Sequence, residues 1–303
     1  MIIKSVKRSK IVSNALYHVI ITAFSFAMIY PLLWMIGSSF KFNEEIFVNV
    51  RRILPTKWTI TNYTTGWAGF GGNSFALFFK NSFFVTILVT IGTVLSSSFI
   101  AFGFARIRFR GRSFWFVMMI ITMLLPGQVM IIPRYVMFNN MGWVGTFLPL
   151  IIPPFFGGAF NIFLIMQFIR GIPRDMDESA KIDGARQIRI FVQIVLPISL
   201  PAIATIGLFY TFAYWNDWMM AKYYLNSNAQ DLFPLQYVLI SLESNIDFLT
   251  RNQQFMGPGE ASNIPSETIR MAMVMVGVIP IACSYPFFQK YFISGLTIGA
   301  VKG

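Results

Sequence analysis

Six long runs without a charged side chain constrain the fold of this chain more than any other feature. They cover residues 11–40, 81–105, 113–133, 135–169, 190–216 and 271–289. A helix of about 20 apolar residues, rising about 1.5 Å per residue, crosses the hydrocarbon core of a bilayer. Each run is long enough for one crossing. The sequence therefore predicts an all-α membrane protein with six transmembrane helices and both termini on the same side.

The distribution of basic residues predicts the orientation of these helices. Well over half of the 24 lysines and arginines lie before the first run, after the last one, or in the segments between runs two and three and between runs four and five. Lys and Arg accumulate in the cytoplasmic segments of membrane proteins. We therefore expect a cytoplasmic N-terminus over residues 1–14 and a cytoplasmic tail over residues 293–303. The stretch from Arg106 to Arg112 is expected to anchor the chain to anionic lipid.

Several classes of function are disfavoured by what the chain lacks. Its net charge of +12 is concentrated at the ends of apolar runs, so we expect no nucleic-acid partner. Cys283 and His18 are each the only residue of their type, which excludes an internal disulfide and a histidine-rich metal site. The chain has no Gly-x-x-x-x-Gly-Lys-Ser/Thr loop for nucleotide phosphates. We therefore expect no catalytic residue and no cofactor in this chain. The energy for any transport would come from a partner subunit.

The inner loop between runs four and five, about residues 170–194, contains the one dense cluster of charged residues. Asp175 is followed three residues later by Glu178, which is the spacing of a helix capping box. Gly184 is suited to the left-handed residue that ends many helices. Leu196 and Pro197 follow at the start of the fifth run. These features predict a short amphipathic helix presented between two membrane spans, although an ordinary charged inner loop is an alternative.

The stretch Glu-Ser-Ala-x-x-Asp-Gly-Ala over residues 178–185, with Leu-Pro downstream, resembles the EAA loop of ABC-importer permeases. In that family the loop forms a coupling helix that lies in a cleft of the ATPase subunit. The resemblance implies that Glu178 and Asp183 pair with basic residues of the ATPase, that Ala180 and Gly184 keep the contact surface low, and that Leu196-Pro197 orients the fifth span. Ser179 stands where the family usually has Ala. The residues assigned to coupling are Asp175, Glu178, Ser179, Ala180, Asp183, Gly184, Ala185, Leu196 and Pro197.

Two further stretches resemble sugar-importing members of this family. The C-terminal Tyr-Pro-Phe-x-Gln-Lys-Tyr-Phe stretch from Tyr285 resembles the terminal signature of maltose-type permeases, in the branch that handles uronate-type and other complex oligosaccharides. The Pro55-x-x-Trp58-Thr59-Ile60-x-Asn62-Tyr63 pattern is similar to their first outer loop. The resemblance implies a type I ABC importer fold, with a permease domain over 15–292 and a large outer loop over 218–268. It also implies a heterodimer with a second homologous permease, two ATPase subunits holding ATP and Mg, an extracellular solute-binding protein and a carbohydrate substrate, in the cytoplasmic (inner) membrane.

The outer end of the fifth run contains candidate substrate-pathway residues. Tyr210, Tyr214 and Asp217 lie at i, i+4 and i+7 and share one helix face, with Trp215 and Asn216 beside it. Aromatic rings stack on sugar rings, while carboxylates and amides bind hydroxyl groups. The Trp-Asn-Asp run also resembles a Trp-Asn-acid signature of sugar permeases. An interfacial aromatic girdle is the alternative.

Other polar residues in the apolar runs are further candidates. Gln128 and Asn161 are candidates for the pathway, although inter-helix hydrogen bonds would also explain them. Arg134 is expected at the interface or in a wet cavity, because a charge at the bilayer centre costs about 2.5–3.5 kcal/mol. Together with other outer arginines, Arg134 would favour an anionic oligosaccharide.

Two rival functions are an ion-coupled secondary transporter and a membrane enzyme acting on lipid-linked sugars. The first is disfavoured because the apolar runs contain no Asp or Glu, which proton-coupled transporters use inside the membrane. The second is disfavoured because the outer acids are scattered rather than clustered.

Overall fold

The computed structural model describes residues 2–48, 50–69, 72–251 and 266–300, with side chains described over 13–48, 50–69, 72–226, 228–244 and 266–287. Every secondary-structure element defined in these residues is a helix, which confirms the all-α prediction. The chain forms two compact units, residues 1–71 with 252–276 and residues 72–251 with 277–303. Residues 252–265 of the predicted outer loop and 301–303 of the predicted tail lie outside the described residues.

Among the described residues, four helices are long and apolar enough to cross a membrane. They are Ser13–Ser39, Phe75–Arg106, Leu148–Gly171 and Glu267–Phe287. Two further apolar stretches are bent pairs: Arg112–Leu124 with Gly127–Asn140, at 96°, and Gln187–Ile198 with Leu200–Trp215, at 76°. The described part of the chain thus has four candidate spans, or six if each bent pair crosses once.

The first unit begins with α1 (Ile2–Ser39), α2 (Asn43–Val48) and α3 (Thr61–Ala68). The amide of Asn62 organises its outer segment. The Asn62 Nδ2 donates to the carbonyl oxygens of Ser39, at 2.9 Å, and Lys41, at 2.8 Å, and its Oδ1 accepts from the Thr268 hydroxyl at 3.1 Å. The Lys41 side chain is fully buried and its amine donates to the Arg52 carbonyl. The outer segment is therefore an ordered structure rather than a free loop.

The second unit contains most of the helices. They are α4 (Phe75–Arg106), α5 (Arg112–Leu124), α6 (Ile131–Asn140), α7 (Leu148–Ile151), α8 (Ala159–Gly171), α9 (Asp175–Ile182), α10 (Gln187–Ile190), α11 (Leu196–Ile198), α12 (Leu200–Trp215), α13 (Met219–Tyr224) and α14 (Leu235–Arg251), and α15 (Glu267–Ala300) passes from the first unit into the second. Short 3₁₀ turns cover Gly127–Met130, Pro153–Phe156 and Ser227–Leu232, and a π-helical turn covers Phe191–Val195.

The core of the second unit lies where α4, α8 and α12 pack together with the π-helical turn. Ile165, Met166 and Val195 are fully buried in it. Gly92 and Ala101 of α4 have minimal side chains, which allow neighbouring elements to approach closely; a Cβ on Gly92 would come within 2.5 Å of the Phe155 ring. The small residues of the second apolar run therefore serve helix packing.

The fifth apolar run is not the single helix predicted over about 195–216. Helical structure begins at Gln187, passes through the π-helical turn and bends at Ser199 before α12. Pro201 lies in the first turn of α12. The N–H groups of a first helical turn have no intrahelical partner, so a proline there, which lacks an N–H, costs no hydrogen bond. A proline there starts a new helix at low cost, so the chain changes direction at Ser199.

The predicted outer loop 218–268 is folded over its described part. It begins with α13 and continues into α14, which packs on α4. The Asn81 Nδ2 of α4 donates to the carbonyl oxygens of Asp231, at 2.7 Å, and Phe233, at 3.1 Å, and the Ser82 hydroxyl accepts from the Leu235 N–H at 2.8 Å. These buried side chains attach the start of α14 to the N-terminal part of α4.

Candidate functional site

The short helix predicted in the inner loop is α9, and its C-terminus is formed as expected. Gly184 has φ of +80°, in the left-handed region that glycine adopts without steric cost. The Gly184 N–H donates to the Lys181 carbonyl at 3.0 Å, and the Ala185 N–H donates to the Ala180 carbonyl at 2.9 Å. This pair of hydrogen bonds is a Schellman motif. The predicted role of Gly184 in ending the helix is confirmed.

The predicted capping box of Asp175 and Glu178 is wrong. The N-cap position is Arg174, which makes no side-chain capping hydrogen bond, and both acids lie inside the first turn. The helix begins one residue early because the Arg174 carbonyl already accepts from the N–H groups of Asp177 and Glu178, at 2.9 and 3.1 Å. Acids in the first turn still stabilise the helix by interacting favourably with its dipole.

A buried ion pair that the sequence analysis missed attaches α9 to α4. The Arg106 Nε lies 3.1 Å from the Asp177 Oδ2, and the Arg106 Nη2 donates to the Ile172 carbonyl at 2.8 Å. The two side chains are only 4% and 7% exposed. Arg106 is therefore not a lipid anchor as predicted, because its guanidinium lies inside the protein. No local sequence signal identifies this pair, since 71 positions separate its members.

The two faces of α9 have different surroundings. Ala180 and Ala185 are half-buried and pack on the core of the second unit, so Ala180 does not flatten an outer contact surface as predicted. Its small side chain instead lets α9 approach its own chain. The outer face holds Glu178, Asp183 and the apolar side chain of Ile182, which is 87% exposed. Asp175 and Ser179 are also exposed, and the Ser179 hydroxyl donates to the Asp175 carbonyl at 2.8 Å.

Leu196 and Pro197 lie between the inner loop and the bend at Ser199. They form α11 directly after the π-helical turn. Phe191 of that turn packs on Phe99 and Phe102 of α4, with ring centroids 5.8 and 5.1 Å apart. A π-helical turn inside a helix frequently marks a functional site. The segment that leads from α9 to α12 is thus held by α4 and differs in helical geometry from both neighbours.

The predicted pathway face of Tyr210, Tyr214 and Asp217 lines a cavity of about 250 Å³ in the second unit. Tyr210 and Tyr214 lie on α12 as predicted, whereas Asp217 lies just beyond the end of that helix at Trp215 and reaches the same cavity from the turn before α13. Arg134 also lines this cavity, in agreement with the expectation that its charge lies at the interface or in a wet cavity. The other lining residues are Thr93, Phe138, Pro149, Leu150, Pro153, Pro154, Gly157, Gly158, Met220 and Tyr224.

The Gly157-Gly158 pair brings buried polar groups close to the cavity. A Cβ on Gly158 would lie 2.9 Å from the Asn161 Nδ2 and 3.3 Å from the Tyr210 hydroxyl, and one on Gly157 would lie 3.4 Å from the Ser97 hydroxyl. Asn161 is 1% exposed, and within the described part of the chain its Nδ2 has no hydrogen-bond partner. Asn161 therefore lies beneath the cavity wall, behind a backbone with no side chain.

Asp217 has a structural role as well as its place in the cavity. Its Oδ1 accepts from the N–H groups of Met219, at 3.0 Å, and Met220, at 3.2 Å, at the start of α13. Burial raises the pKa of the Asp217 carboxyl, and these two hydrogen bonds oppose the rise. The carboxylate is consequently committed to holding the first turn of α13.

Four of the predicted pathway residues do not line the cavity, and Asn161, behind Gly158, is one of them. Trp215 is 2% exposed, its indole N–H donates to the Gly277 carbonyl at 3.0 Å, and its ring packs on Phe79 and Phe83. Asn216 is exposed and its Nδ2 donates to the Phe212 carbonyl at 2.9 Å. Gln128 is exposed in the 3₁₀ turn between α5 and α6. Within the Trp-Asn-Asp run, Trp215 therefore packs in the interior, Asn216 lies on the surface and Asp217 lines the cavity.

Comparison with known proteins places these features in one family. The model of the family described as "Binding-protein-dependent transport system inner membrane component" matches residues 92–298, which include α9 and the cavity. The chain is 35% identical to the polygalacturonan/rhamnogalacturonan transport system permease protein of Bacillus subtilis, over 96% of this chain and 99% of that protein. It is 27% identical to the arabinooligosaccharides transport system permease protein of Halalkalibacterium halodurans, over 92% and 93%. These relatives are transport permease subunits, not enzymes.

A solved structure shows the same fold. The chain superimposes with a TM-score of 0.78 on one in the crystal structure of a bacterial ABC transporter involved in the import of the acidic polysaccharide alginate, at 23% identity and over 94% of this chain and 98% of that one. The fold, the matched residues and the relatives agree with the apolar helices found here. The chain therefore belongs to the family of binding-protein-dependent transport system inner membrane components, and is a multi-pass membrane permease.

Proposed function

We propose that this chain is one permease subunit of an ATP-driven ABC importer that carries an oligosaccharide across the cytoplasmic membrane. The observation that carries the proposal is α9, which is attached to the core by the Arg106–Asp177 ion pair and leaves an outer face with Glu178, Ile182 and Asp183 exposed. The relatives supply the substrate class, because those compared here are named for transport of polygalacturonan, rhamnogalacturonan and arabinooligosaccharides.

The proposed topology has six spans, with the two bent pairs each crossing once and both termini in the cytoplasm. The permease domain is residues 15–292, preceded by the N-terminal segment 1–14 and followed by the tail 293–303. The distribution of Lys and Arg supports this orientation. It places α9 on the cytoplasmic side, and α13 and α14 outside.

The proposed partners are a second homologous permease forming a heterodimer, two ATPase subunits that bind ATP and Mg, and an extracellular solute-binding protein. Each ATPase cleft would receive one loop such as α9. The exposed combination of an apolar Ile182 with the acids Glu178 and Asp183 suits a basic, partly apolar cleft.

Coupling is proposed to work through rigid attachment. Because α9 is joined to α4 by the ion pair and to the core through Ala180 and Ala185, a displacement of α9 moves these helices with it. Rigid-body motion of packed elements is a common means of transmitting a conformational change. The π-helical turn and the bend at Ser199 then connect α9 to α12, which carries the cavity-lining face.

The cavity is proposed to be part of the substrate pathway. Tyr210 and Tyr214 present aromatic rings, with centroids 5.5 Å apart, and such rings stack on the C–H faces of sugars. We include Asp217, which lines the same cavity, and Asn161, which lies behind Gly158 of its wall, among the proposed pathway residues.

The test is uptake by the assembled importer. The chain is co-expressed with its partner permease and ATPases, reconstituted in proteoliposomes with the binding protein, and supplied with labelled oligosaccharides. We expect the ATPase subunits to co-purify with the permease. Uptake should require ATP on the side of the membrane where the ATPase subunits lie. Uptake driven by an ion gradient without ATP, or absence of ATPase association in a transporting preparation, would refute the proposal.

A further inference from the structure

We propose that the cavity is a binding site within this chain for one acidic sugar unit, with Arg134 pairing with its carboxylate and the region around Asn161 binding its hydroxyl groups. This inference rests on the proposed function and names the substrate class of its pathway. It differs from the pathway predicted from the sequence, which did not include Arg134 among the site residues.

Arg134 is available to an anionic ligand. Its side chain lines the same cavity as Tyr224 and Asp217, and no ion pair joins it to an acid among the residues that the structure describes. A guanidinium presents N–H donors in a planar fork that matches a carboxylate, and charge-assisted pairs of this kind are stronger than neutral hydrogen bonds. An unpaired arginine in a cavity is therefore a suitable partner for a sugar carboxylate.

The other charged residue of the cavity does not neutralise Arg134 directly. Asp217 uses its Oδ1 to accept two backbone N–H groups, from Met219 and Met220. Its hydrogen-bond partners lie in the first turn of α13 rather than on the guanidinium. The cavity thus offers a guanidinium that no described acid pairs with, which favours a ligand that carries a carboxylate.

The region around Asn161 offers unsatisfied donors. Its buried Nδ2 has no partner in the described structure, and buried polar groups in proteins nearly always have one. Because Gly158 has no side chain, the Asn161 amide and the Tyr210 hydroxyl both lie close to its backbone, at the wall of the cavity. A sugar hydroxyl bound at this wall accepts from the amide and donates to the phenol oxygen, which satisfies both groups.

The size of the cavity limits its occupant. Its volume of about 250 Å³ is below the roughly 300–1,000 Å³ of pockets that enclose drug-sized molecules. It therefore holds one ring of an oligosaccharide, with Tyr210 and Tyr214 as the stacking surface and the rest of the chain extending out of this subunit.

The experiment compares Arg134→Gln, Arg134→Lys and the control Lys222→Gln in the assembled importer. Lys222 is a cation on α13 that does not line the cavity, and its amine lies 5.5 Å from the centre of the Trp218 ring. The probes are labelled tetragalacturonate and its carboxyl-reduced, neutral counterpart. Uptake of each is divided by the ATP hydrolysed in the same preparation, so that loss of assembly does not imitate loss of recognition.

For Arg134→Gln we expect tetragalacturonate uptake per ATP to fall by roughly tenfold, the size of one charge-assisted hydrogen bond. Arg134→Lys should fall less, and Lys222→Gln should match the unmodified importer. An Arg134→Gln importer that transports tetragalacturonate normally would overturn the inference, as would an unmodified importer that prefers the neutral probe. Failure of the unmodified importer to transport either probe with ATP would instead count against the proposed function.

Discussion

The Arg106 guanidinium and the Asp177 carboxylate form a buried ion pair, with Nε and Oδ2 3.1 Å apart, between the last residue of α4 and the first turn of α9. The pair decides which face of α9 turns toward the core and which remains exposed. It makes the inner loop a rigid extension of the second apolar helix rather than a flexible connection.

Asp177→Asn should destabilise the assembled complex and lower transport per ATP. Removing one member of a buried ion pair leaves the other charge uncompensated and costs about 3–5 kcal/mol. The double variant Arg106→Met with Asp177→Met should be milder, since it removes both charges. Thermal unfolding in detergent and uptake per ATP measure the two effects. The control is Asp175→Asn in the same helix, whose carboxylate is exposed; equal stability of Asp177→Asn and this control would contradict the prediction.

Gly184→Asp should leave membrane insertion intact but uncouple transport from ATP hydrolysis. At φ of +80° a residue with a Cβ is strained by about 1–2 kcal/mol, which disturbs the end of α9 and its exposed face. Gly184→Asn should be less severe, because Asn tolerates the left-handed region better. Insertion is measured by protease protection and coupling by uptake with ATPase activity.

The matched control for Gly184 is Gly171→Ala at the end of α8. No atom lies within 4 Å of a Cβ placed there, and its φ is not positive, so the substitution should change neither quantity. A Gly184→Asp importer that couples as well as this control would show that the shape of the α9 terminus is not required.

Trp215→Phe should lower stability modestly and leave transport per ATP unchanged. The substitution keeps the ring contacts with Phe79 and Phe83 but removes the hydrogen bond to the Gly277 carbonyl, at a net cost of about 0.5–1.5 kcal/mol. The midpoint of thermal unfolding gives the first quantity and proteoliposome uptake the second. A loss of uptake without a loss of stability would contradict this prediction and would indicate that Trp215 acts in the substrate pathway.

Asp217→Asn should stabilise the protein at neutral pH and lose this advantage in acid. The folded-state pKa of Asp217 is raised, chiefly by burial. The folded state therefore binds a proton more tightly than the unfolded state, and the stability of the unmodified protein falls as pH rises from the ordinary aspartate pKa through the raised value. Asn keeps the oxygen that accepts from Met219 and Met220 without the buried charge.

The pH dependence of Asp217→Asn is read from thermal unfolding of both proteins between about pH 8 and pH 4, the upper and lower sides of the expected window. The difference between them should be largest at the alkaline end and shrink toward the acid end. Asp217→Ala should be less stable than Asp217→Asn throughout, because it removes the acceptor of both N–H groups. A difference that grows on acidification would contradict the assignment.

Local physics accounts for the features that sequence analysis predicted correctly. The apolar runs predicted the membrane helices because charge-free length is a property of each segment. Gly184 ends α9 because left-handed backbone is a preference of the residue itself. Tyr210 and Tyr214 share a face of α12 because the helical period places residues four apart on the same side.

The errors have equally specific causes. Asp175 was expected as a cap, but one extra residue of helix forms when the Arg174 carbonyl accepts two N–H groups. The resemblance to the EAA loop implied that Ala180 keeps an outer contact surface low, and in the structure Ala180 is half-buried and packs on the core. Trp215 was assigned to the pathway because aromatic rings stack on sugars and because the Trp-Asn-Asp run resembles a sugar-permease signature. A rotation of about 100° per residue instead directs its ring away from the face of Tyr214.

The sequence by itself determined the number of apolar segments, the position of the short helix between the fourth and fifth, and the residues able to end or bend a helix, since each depends only on neighbours in the chain. Only the tertiary structure decided that Arg106 pairs with Asp177, that Arg134 shares a cavity with Tyr210, and that Asn161 lies behind Gly158. These relationships join distant residues, and they arise because packing of whole helices, rather than local preference, sets which side chains meet.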